Sequence, residues 1–530
     1  MRYEATTKPT DANTVPGYTV NGYTVASAGF QEIISLANCG SSPTACGPVG
    51  VNSPLLQNPT TKDFEPRLGL EWDPFKDGKT SVRVGFGMFD VLPLPYEFGL
   101  NTAATAPFQI IGADPASTLG SGIDPNVNFN EQKIRNRFID AYPKRPYVMN
   151  WNANVQRQMG TGYLLLVGYV GSRSLHTSAA ADDINLVQPA AVSGVGLVFP
   201  CNPTLLDAGN TCANQQTGTR IDSNWGGGAG IRPVLYDGAA SYNSLQAQLK
   251  KNFSQGVQGQ ISYTLGKCQD LSSAPVTGDT FLNSIAVPLL LLKSARLGPC
   301  DFDIRDVLSA TLIWDLPSMK GGSKVLSTLT GGWELGTIVS AYSGAPFTAT
   351  VGDGNDPLGT GFNGDFSMDF ASVVPGCDPI HGGLNYLNTN CFTPPTAPAT
   401  LATATAANPY GCAPNSFPLS PVVAPAGTQF CSNVLGNTHR NQFYGPGLTT
   451  VDFSIFKNTH IPSISETFNI QFRAEFFNIL NHTNFLSPGF LNTFGQNNSL
   501  YDFNGTTLPT ALNQTSTTSR QIQLGLKLIF

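Results

Sequence analysis

The chain has 530 residues and a net charge of −6, and only 12% of its residues are charged, about half the usual globular share of roughly 25%. Lysine and arginine are scattered, which excludes the basic surface of a nucleic-acid-binding protein. The longest apolar run, Ile285–Leu292, has 8 residues and contains a proline, whereas a spanning helix needs about 20 apolar residues. A helical membrane protein is therefore excluded, and we assign no role to this run.

Segments in which apolar and polar residues alternate recur along the chain. Between Val257 and Leu265 every second residue is apolar or glycine and the others are polar, and the final residues from Ile522 to Phe530 follow nearly the same pattern. A period of two suits a strand with lipid on one side and water on the other. The pattern predicts strands, in chain order, at 65–73, 79–90, 147–159, 162–171, 241–253, 256–267, 305–316, 332–343, 448–458, 467–478 and 519–530.

The connections between these strands alternate in length. The short ones cover 75–78, 160–161, 254–255, 317–331 and 459–466. The long ones cover 91–146, 172–240, 268–304, 353–447 and 485–518. Tight periplasmic turns and long outer loops are the topology of outer-membrane barrels. The sequence therefore predicts an all-β protein, a transmembrane antiparallel β-barrel of about twelve strands with long extracellular loops, located in the bacterial outer membrane.

Ten cysteines form near-neighbour pairs in the long connections and at their edges. The pairs are Cys39 with Cys46, Cys201 with Cys212, Cys268 with Cys300, Cys377 with Cys391, and Cys412 with Cys431. No CxxC spacing suggests zinc. Such local pairs favour disulfides and an oxidising compartment, although the sequence leaves other connectivities open.

Candidate sites for chemistry are few. Asp353, Asn355 and Asp356 offer hard oxygen ligands for Ca²⁺, but they lack the EF-hand spacing and equally suit a turn. Trp225 is the one tryptophan outside the predicted strands, which makes it a candidate for ligand contact. The five histidines are far apart, with no hydrolase or metalloprotease motif. We therefore expect no enzymatic activity and no cofactor.

The two ends of the chain carry expectations of their own. The first ten residues contain no apolar export segment, so we expect no signal peptide in this chain. Strand 65–73 needs a partner strand before it, and Met1–Glu4 suits the tip of that partner. The chain is therefore expected to begin partway through a barrel. Phe530 is a candidate assembly signal, because an apolar strand with an aromatic terminal residue is typical of outer-membrane proteins.

Several segments together resemble the barrel of TonB-dependent receptors in the Oar-like (carboxypeptidase-regulatory-like) branch. They lie at 64–75, 80–89, 146–158, 167–176, 241–253, 260–267, 301–308 and 473–485. The resemblance runs over 1–530 in order and implies a larger parent protein with a signal peptide, a plug domain and 22 strands. This chain would then be the C-terminal part of that barrel, without a plug.

The resemblance also implies a function and a set of partners. The intact receptor would import a bulky nutrient such as an oligosaccharide, a peptide or a metal chelate. Its partners would be outer-membrane lipid, the barrel assembly machinery, an extracellular ligand and, only through the missing plug, TonB. Two alternatives stay open from the residues alone: a passive porin-like channel and a secreted β-rich adhesin or surface protein.

Overall fold

The sheet that dominates the computed structural model follows the chain order. The structure describes residues 2–3, 18–20, 23–25, 64–91, 136–139, 144–160, 162–180, 189–201, 231–273, 293–318, 324–351, 370–382, 386–413, 424–431, 433–465, 467–486, 499–501 and 515–530. The long strands are β1 (Arg67–Trp72), β2 (Thr80–Asp90), β3 (Tyr147–Met159), β4 (Tyr163–Ala180), β5 (Ile231–Ser254), β6 (Val257–Asp270), β7 (Asp306–Asp315), β8 (Trp333–Tyr342), β9 (Leu448–His460), β10 (Asn469–Phe477) and β11 (Gln521–Ile529). Each pairs antiparallel with its neighbours in this order.

These eleven strands correspond one to one with the predicted strands. Nine of them begin and end within three residues of the predicted bounds. The exceptions are β4, which continues to Ala180, and β5, which already begins at Ile231. Their extra residues make a paired ribbon beyond the length of about ten residues that a tilted membrane strand needs. Periodicity missed this ribbon because a strand outside the membrane requires no continuous apolar face.

The short connections are tight turns with one exception. Between β5 and β6, Gln255 and Gly256 have φ angles of 54° and 73°, as the two central residues of a type I′ hairpin require. Between β1 and β2, the Asp73 carboxylate accepts hydrogen bonds from three backbone amides, including Gly78 N at 2.9 Å. The exception is the connection between β7 and β8, predicted as a plain turn, which contains a helix.

The remaining elements are short. The helices are α1 (Lys293–Arg296), α2 (Lys324–Thr330) and a 3-10 turn (Thr389–Cys391). The small strands are Arg2–Tyr3, Tyr18–Val20, Tyr23–Val25, Phe64–Glu65, Asn136–Ile139, Ala190–Val192, Gly196–Val198, Gly298–Pro299, Pro346–Phe347, Thr350–Val351, Ser372–Val373, Phe392–Thr393, Thr396–Pro398, Thr428–Phe430, Phe443–Tyr444 and Ser499–Tyr501. None of the helices in the described ranges is long and apolar enough to cross a membrane.

The main sheet has one apolar and one polar face. The apolar face carries large exposed side chains in cross-strand register, so that Leu245 lies opposite both Tyr169 and Leu265. Aromatic side chains on this face include Trp72, Trp151, Trp314, Trp333, Tyr169 and Tyr263. The polar face is rich in amides: Asn150, Asn152, Asn154, Gln156, Gln246, Gln248, Gln258, Gln260, Gln471, Gln521 and Gln523. A strand with two such faces fits lipid on one side and water on the other.

The hydrophobic core lies outside the sheet, in the loops at the end opposite the tight turns. We call this end the loop end and the other the turn end. One buried cluster contains Phe347, Tyr386, Leu387, Phe392 and Phe443, and a second contains Val198, Ala397, Cys412, Cys431 and Val434. We call the described residues within 189–201, 293–305 and 343–447 the cap. The cap is thus a small packed structure of its own on the loop end of the sheet.

Candidate functional site at the loop end

Three disulfides whose two cysteines both lie in the described residues are found in and under the cap. Cys268 bonds to Cys300, joining the loop end of β6 to the segment before β7. Cys377–Cys391 and Cys412–Cys431 each close a local loop inside the cap. All three pairs were expected from their nearness in the sequence. Cys201 is also disulfide-bonded, and its expected partner Cys212 lies outside the described residues. The expected pair of Cys39 and Cys46 also lies outside them.

Peptide mapping without reduction is expected to recover these three pairs as cross-linked peptides. Reduction should then make residues 343–447 more sensitive to protease, because disulfides restrict the unfolded loops. The strands β2 and β3 serve as an internal control, since neither contains a cysteine. Recovery of scrambled pairs, or of free thiols at these positions, would contradict the assignment.

A buried charge cluster fixes the cap to the sheet. It contains Asp270, Asp301, Asp303, Arg440 and Asn441, all of them buried. The Arg440 guanidinium forms a short ion pair with the Asp270 carboxylate, and its Nη1 lies 3.8 Å from Asp301 Oδ1. Asn441 Nδ2 donates to Asp301 Oδ1 at 2.7 Å and to the Pro299 carbonyl at 2.8 Å. Residues 440–441 are thereby held on the end of β6 and on the segment that leads into β7.

Asp303 extends the cluster towards the cap surface. Its carboxylate accepts a hydrogen bond from the Cys268 backbone amide at 2.7 Å and one from the Tyr444 hydroxyl at 2.8 Å. Burial, and next the hydrogen bond to Asp303, raise the pKa of Tyr444 well above its usual range. Arg305 lies over the Tyr444 ring at 5.7 Å. The Tyr444 hydroxyl therefore stays protonated and acts as a donor.

The cluster carries more negative than positive charge. The cluster holds three buried carboxylates and one fully buried guanidinium, that of Arg440, which lies close to Asp270 and Asp301. Burial raises the pKa of Asp301 to about 6, against the opposing effect of hydrogen bonds from Asn441 and Ser273. Burial also lowers the pKa of Arg440 to about 10. A buried carboxylate that is not fully paired with positive charge lowers the stability of the folded state. In this cluster that carboxylate is Asp301.

We expect the cap to gain stability as the pH falls through about 6. The pKa of Asp301 is about 6 in the folded protein against a model value of 3.8, so the folded state keeps a proton that the unfolded state has lost. This contribution is complete below about 3.8 and is lost as the pH rises through about 6. Hydrogen exchange of residues 433–447 on both sides of pH 6 measures it. The Asp301→Asn variant should lack this dependence, and a profile parallel to that of wild type would refute the assignment.

A second ion pair anchors the cap to the ribbon of β4 and β5. The buried Arg296 guanidinium of α1 makes a two-pronged contact with Asp237, with nitrogen–oxygen distances of 2.7 and 3.1 Å. Paired hydrogen bonds of this kind fix orientation as well as charge. The cap is therefore held on the sheet at two separate places, by Arg440 with Asp270 and by Arg296 with Asp237.

Sequence reasoning did not find the charge cluster. Asp301, Asp303 and Arg305 were noted only as part of a segment of family resemblance, and Arg440 was not singled out. The Arg440–Asp270 pair joins residues 170 positions apart, and nothing in local spacing predicts such a contact. A buried arginine in a polar loop has the same local sequence as a solvated one.

The predicted site residues have different outcomes. Asp353, Asn355, Asp356, Trp225 and the run 285–292 lie outside the described residues. Within the described ranges, no group of three or more His, Cys, Asp or Glu side chains could hold a metal ion. His482 follows the turn at 478–480, and its backbone amide donates to Asn478 Oδ1 at 2.9 Å. Phe530 lies at the turn end with its ring centroid 5.3 Å from that of Phe468.

A long antiparallel sheet with one apolar and one polar face, tight turns at one end and long connections at the other is typical of outer-membrane β-barrel proteins. Residues 1–523 match the family described as the outer membrane beta barrel domain. The chain therefore belongs to this family, and it is a protein of the bacterial outer membrane. No curated protein is significantly similar to it in sequence.

Solved outer-membrane transporters are similar to the chain at low identity. The transporter YddB from Escherichia coli has 10% identity and a TM-score of 0.40, over 88% of this chain and 40% of its own. The FrpB iron transporter from Neisseria meningitidis has 10% identity and a TM-score of 0.34, over 87% and 38%. The ferric enterobactin receptor PfeA from Pseudomonas aeruginosa has 9% identity and a TM-score of 0.34, over 88% and 40%. The chain spans two-fifths of these proteins or less, and by description all three are transporters or receptors rather than enzymes.

Proposed function

We propose that this chain is part of the barrel of a TonB-dependent receptor of the Oar-like branch, and that the intact receptor imports a bulky nutrient. An oligosaccharide, a peptide or a metal chelate fits this role. The observation that carries the proposal is the rigid cap on the loop end of a two-faced membrane sheet. A fixed cap presents a preorganised surface to an extracellular ligand, and the amide-rich polar face offers hydrogen bonds along the path inward. Binding and passage make and break no covalent bond.

The edges of the sheet support a larger barrel. In the described residues, β1 and β11 end the sheet and carry no ladder to a further long strand. Unpaired backbone groups in lipid cost several kcal/mol each, so both edges need partners in the membrane. The short strand Arg2–Tyr3 pairs antiparallel with Phe64–Glu65 next to β1, which suits a twelfth strand there. We propose that the chain supplies about twelve strands of a 22-stranded barrel whose plug domain contacts TonB.

Growth of the native host tests this function. A mutant lacking the gene and a second mutant lacking TonB are compared with the parent on single oligosaccharides, peptides and metal chelates as limiting nutrients. A TonB-dependent importer predicts that both mutants lose growth on the same nutrient. Loss of growth only in the gene mutant, together with ion conductance of the purified protein in planar bilayers, would instead favour the passive channel. An adhesin predicts normal growth of both mutants and a soluble protein, which the exposed apolar face disfavours.

Three residue-level proposals accompany this function. Trp225 is proposed to contact the ligand, and Asp353, Asn355 and Asp356 to bind Ca²⁺ in the outer loops. Phe530 is proposed to be read by the barrel assembly machinery, and its residue surface is 83% exposed beyond the end of β11. Deletion of Phe530 should reduce the amount of protein assembled in the outer membrane without altering its synthesis. A Phe530→Tyr variant, which keeps the aromatic ring, is the control, and equal assembly of the deletion variant would rule out the role.

A further inference from the structure

Helix α2 is attached to the apolar face of the sheet at the turn end. Trp333 is the first residue of β8 and shares a face with Leu335, which lies opposite the exposed Trp314 of β7. The Trp333 indole nitrogen donates to the Leu329 carbonyl of the helix at 2.8 Å. The helix therefore lies beside the outer surface of the barrel wall rather than across its polar face.

A lysine from the next strand holds the same end of the helix. Lys457 of β9 lies directly opposite Trp333 in register. Its ammonium donates to the Thr328 carbonyl at 2.7 Å and, at short range, to the Gly331 carbonyl. Carbonyls at the end of a helix have no partner within the helix, and a cation there also complements the helix dipole. Two side chains of the apolar face thus fix the C-terminal end of α2.

The helix carries two exposed apolar side chains. Leu326 is 42% exposed and Leu329 is 62% exposed, and residues three apart lie on one helix face. Ser327 and Thr328, also exposed, separate them. Both anchors of this short helix are side chains of the apolar face, and two of its leucines are exposed. We therefore expect the helix to lie in an apolar environment.

The level of the helix in the membrane follows from its neighbours. Large apolar and aromatic side chains are exposed around the turn end of the sheet: Trp72, Phe75, Tyr163, Phe253, Trp314 and Phe530. Aromatic residues concentrate where barrel strands leave the hydrocarbon. Short turns of outer-membrane barrels face the periplasm, so this rim marks the inner leaflet. Helix α2, with its exposed leucines, is joined to the apolar face through the hydrogen bond from the Trp333 indole to the Leu329 carbonyl.

We propose that α2 is an interfacial helix that inserts Leu326 and Leu329 into the phospholipid of the inner leaflet. It lies in the membrane interface beside the barrel wall and fixes the depth at which β7, β8 and β9 cross the bilayer. The occupant of this surface is lipid, because the surface is an extension of the face that already contacts lipid. This assignment depends only on the membrane location of the protein and not on what it transports.

Fluorescence quenching in reconstituted vesicles tests the proposal. A Leu329→Cys variant of the full chain is labelled with a nitrobenzoxadiazole probe without reduction, so that native disulfides do not react. The protein is placed in phosphatidylcholine vesicles with or without doxyl-labelled phosphatidylcholine. We expect blue-shifted emission, strong quenching by the doxyl lipid and little quenching by aqueous iodide. Leu312→Cys on the apolar face gives the reference value for a side chain in lipid.

Ser327→Cys on the same helix is the matched control. Its probe should be quenched by iodide and little by doxyl lipid, because it lies off the leucine face. Equal iodide quenching at 327 and 329, without lipid quenching at either, would overturn the proposal. Protection of 329 from both quenchers would also overturn it, because a protein neighbour and not lipid would then cover the leucines.

Discussion

The Arg440→Ala variant is expected to lose about 3–5 kcal/mol of cap stability, the usual cost of removing one partner from a buried ion pair. The Arg440 side chain is fully buried and compensates Asp270 directly and Asp301 from 3.8 Å. Its removal leaves two buried carboxylates without a guanidinium partner. Because the sheet is held by its own ladders and by lipid, the loss should be confined to the cap.

Hydrogen exchange followed by mass spectrometry measures this effect. Residues 433–447 should exchange much faster in Arg440→Ala than in wild type, while β2 and β3 stay protected. Arg83→Ala is the matched control, because its ion pair with Glu71 is exposed on both sides and such pairs are worth about 0–1 kcal/mol. Unchanged exchange of the cap would show that the cluster does not hold it. The double variant Arg440→Met with Asp270→Leu should recover part of the loss, since it removes both charges together.

The Leu245→Arg variant is expected to lower the free energy of unfolding in the membrane by about 1–2 kcal/mol. A cation on the lipid face costs about 2–4 kcal/mol at the bilayer midplane and about 0–1 kcal/mol at an interface, and Leu245 lies between these levels, opposite Leu265, which pairs with the first residue of β7. Leu245 is exposed on the apolar face of β5, between Tyr169 and Leu265. An arginine there must be desolvated or must pull water and headgroups towards it. The loss of stability should be larger in lipid vesicles than in detergent micelles, because the hydrocarbon thickness of a bilayer is fixed.

Gln246→Arg is the control for this substitution, because it changes the adjacent residue on the opposite face. Gln246 lies opposite Gly168 and Thr264 on the polar face, where a cation can stay hydrated. Unfolding in urea from vesicles should separate the two variants clearly. If both variants are equally stable, or if Gln246→Arg is the more damaging, the assignment of the two faces is wrong.

The membrane strands could be predicted because lipid on one face and water on the other require apolar and polar residues to alternate along each strand. From Val257 to Leu265 the alternation follows from lipid on one side and water on the other, and β6 begins at Val257. The turn between β5 and β6 was predicted at 254–255 and lies one residue later, at Gln255 and Gly256. Cysteine pairs such as Cys377 with Cys391 followed from nearness in the chain, since a short loop brings its ends together at little entropic cost.

The cap and the ribbon could not be predicted in the same way. The ends of β4 and β5 lie beyond the length a membrane strand needs, so no periodic constraint marks them. The Arg440–Asp270 contact depends on a tertiary arrangement that brings distant loops together, and its residues have no distinctive neighbours. Helix α2 was assigned to a turn because its 7 residues are too few for a clear helical period.

The separate core of the cap has a consequence for how such proteins diversify. The strands must satisfy lipid, whereas the cap keeps its apolar residues and cross-links within itself. Its outer surface can therefore change among relatives without any adjustment of the lipid-facing residues. The pair Asp270 and Arg440 joins the two parts, one residue from each. Across relatives we expect these two positions to covary, while the cap surface around them drifts freely.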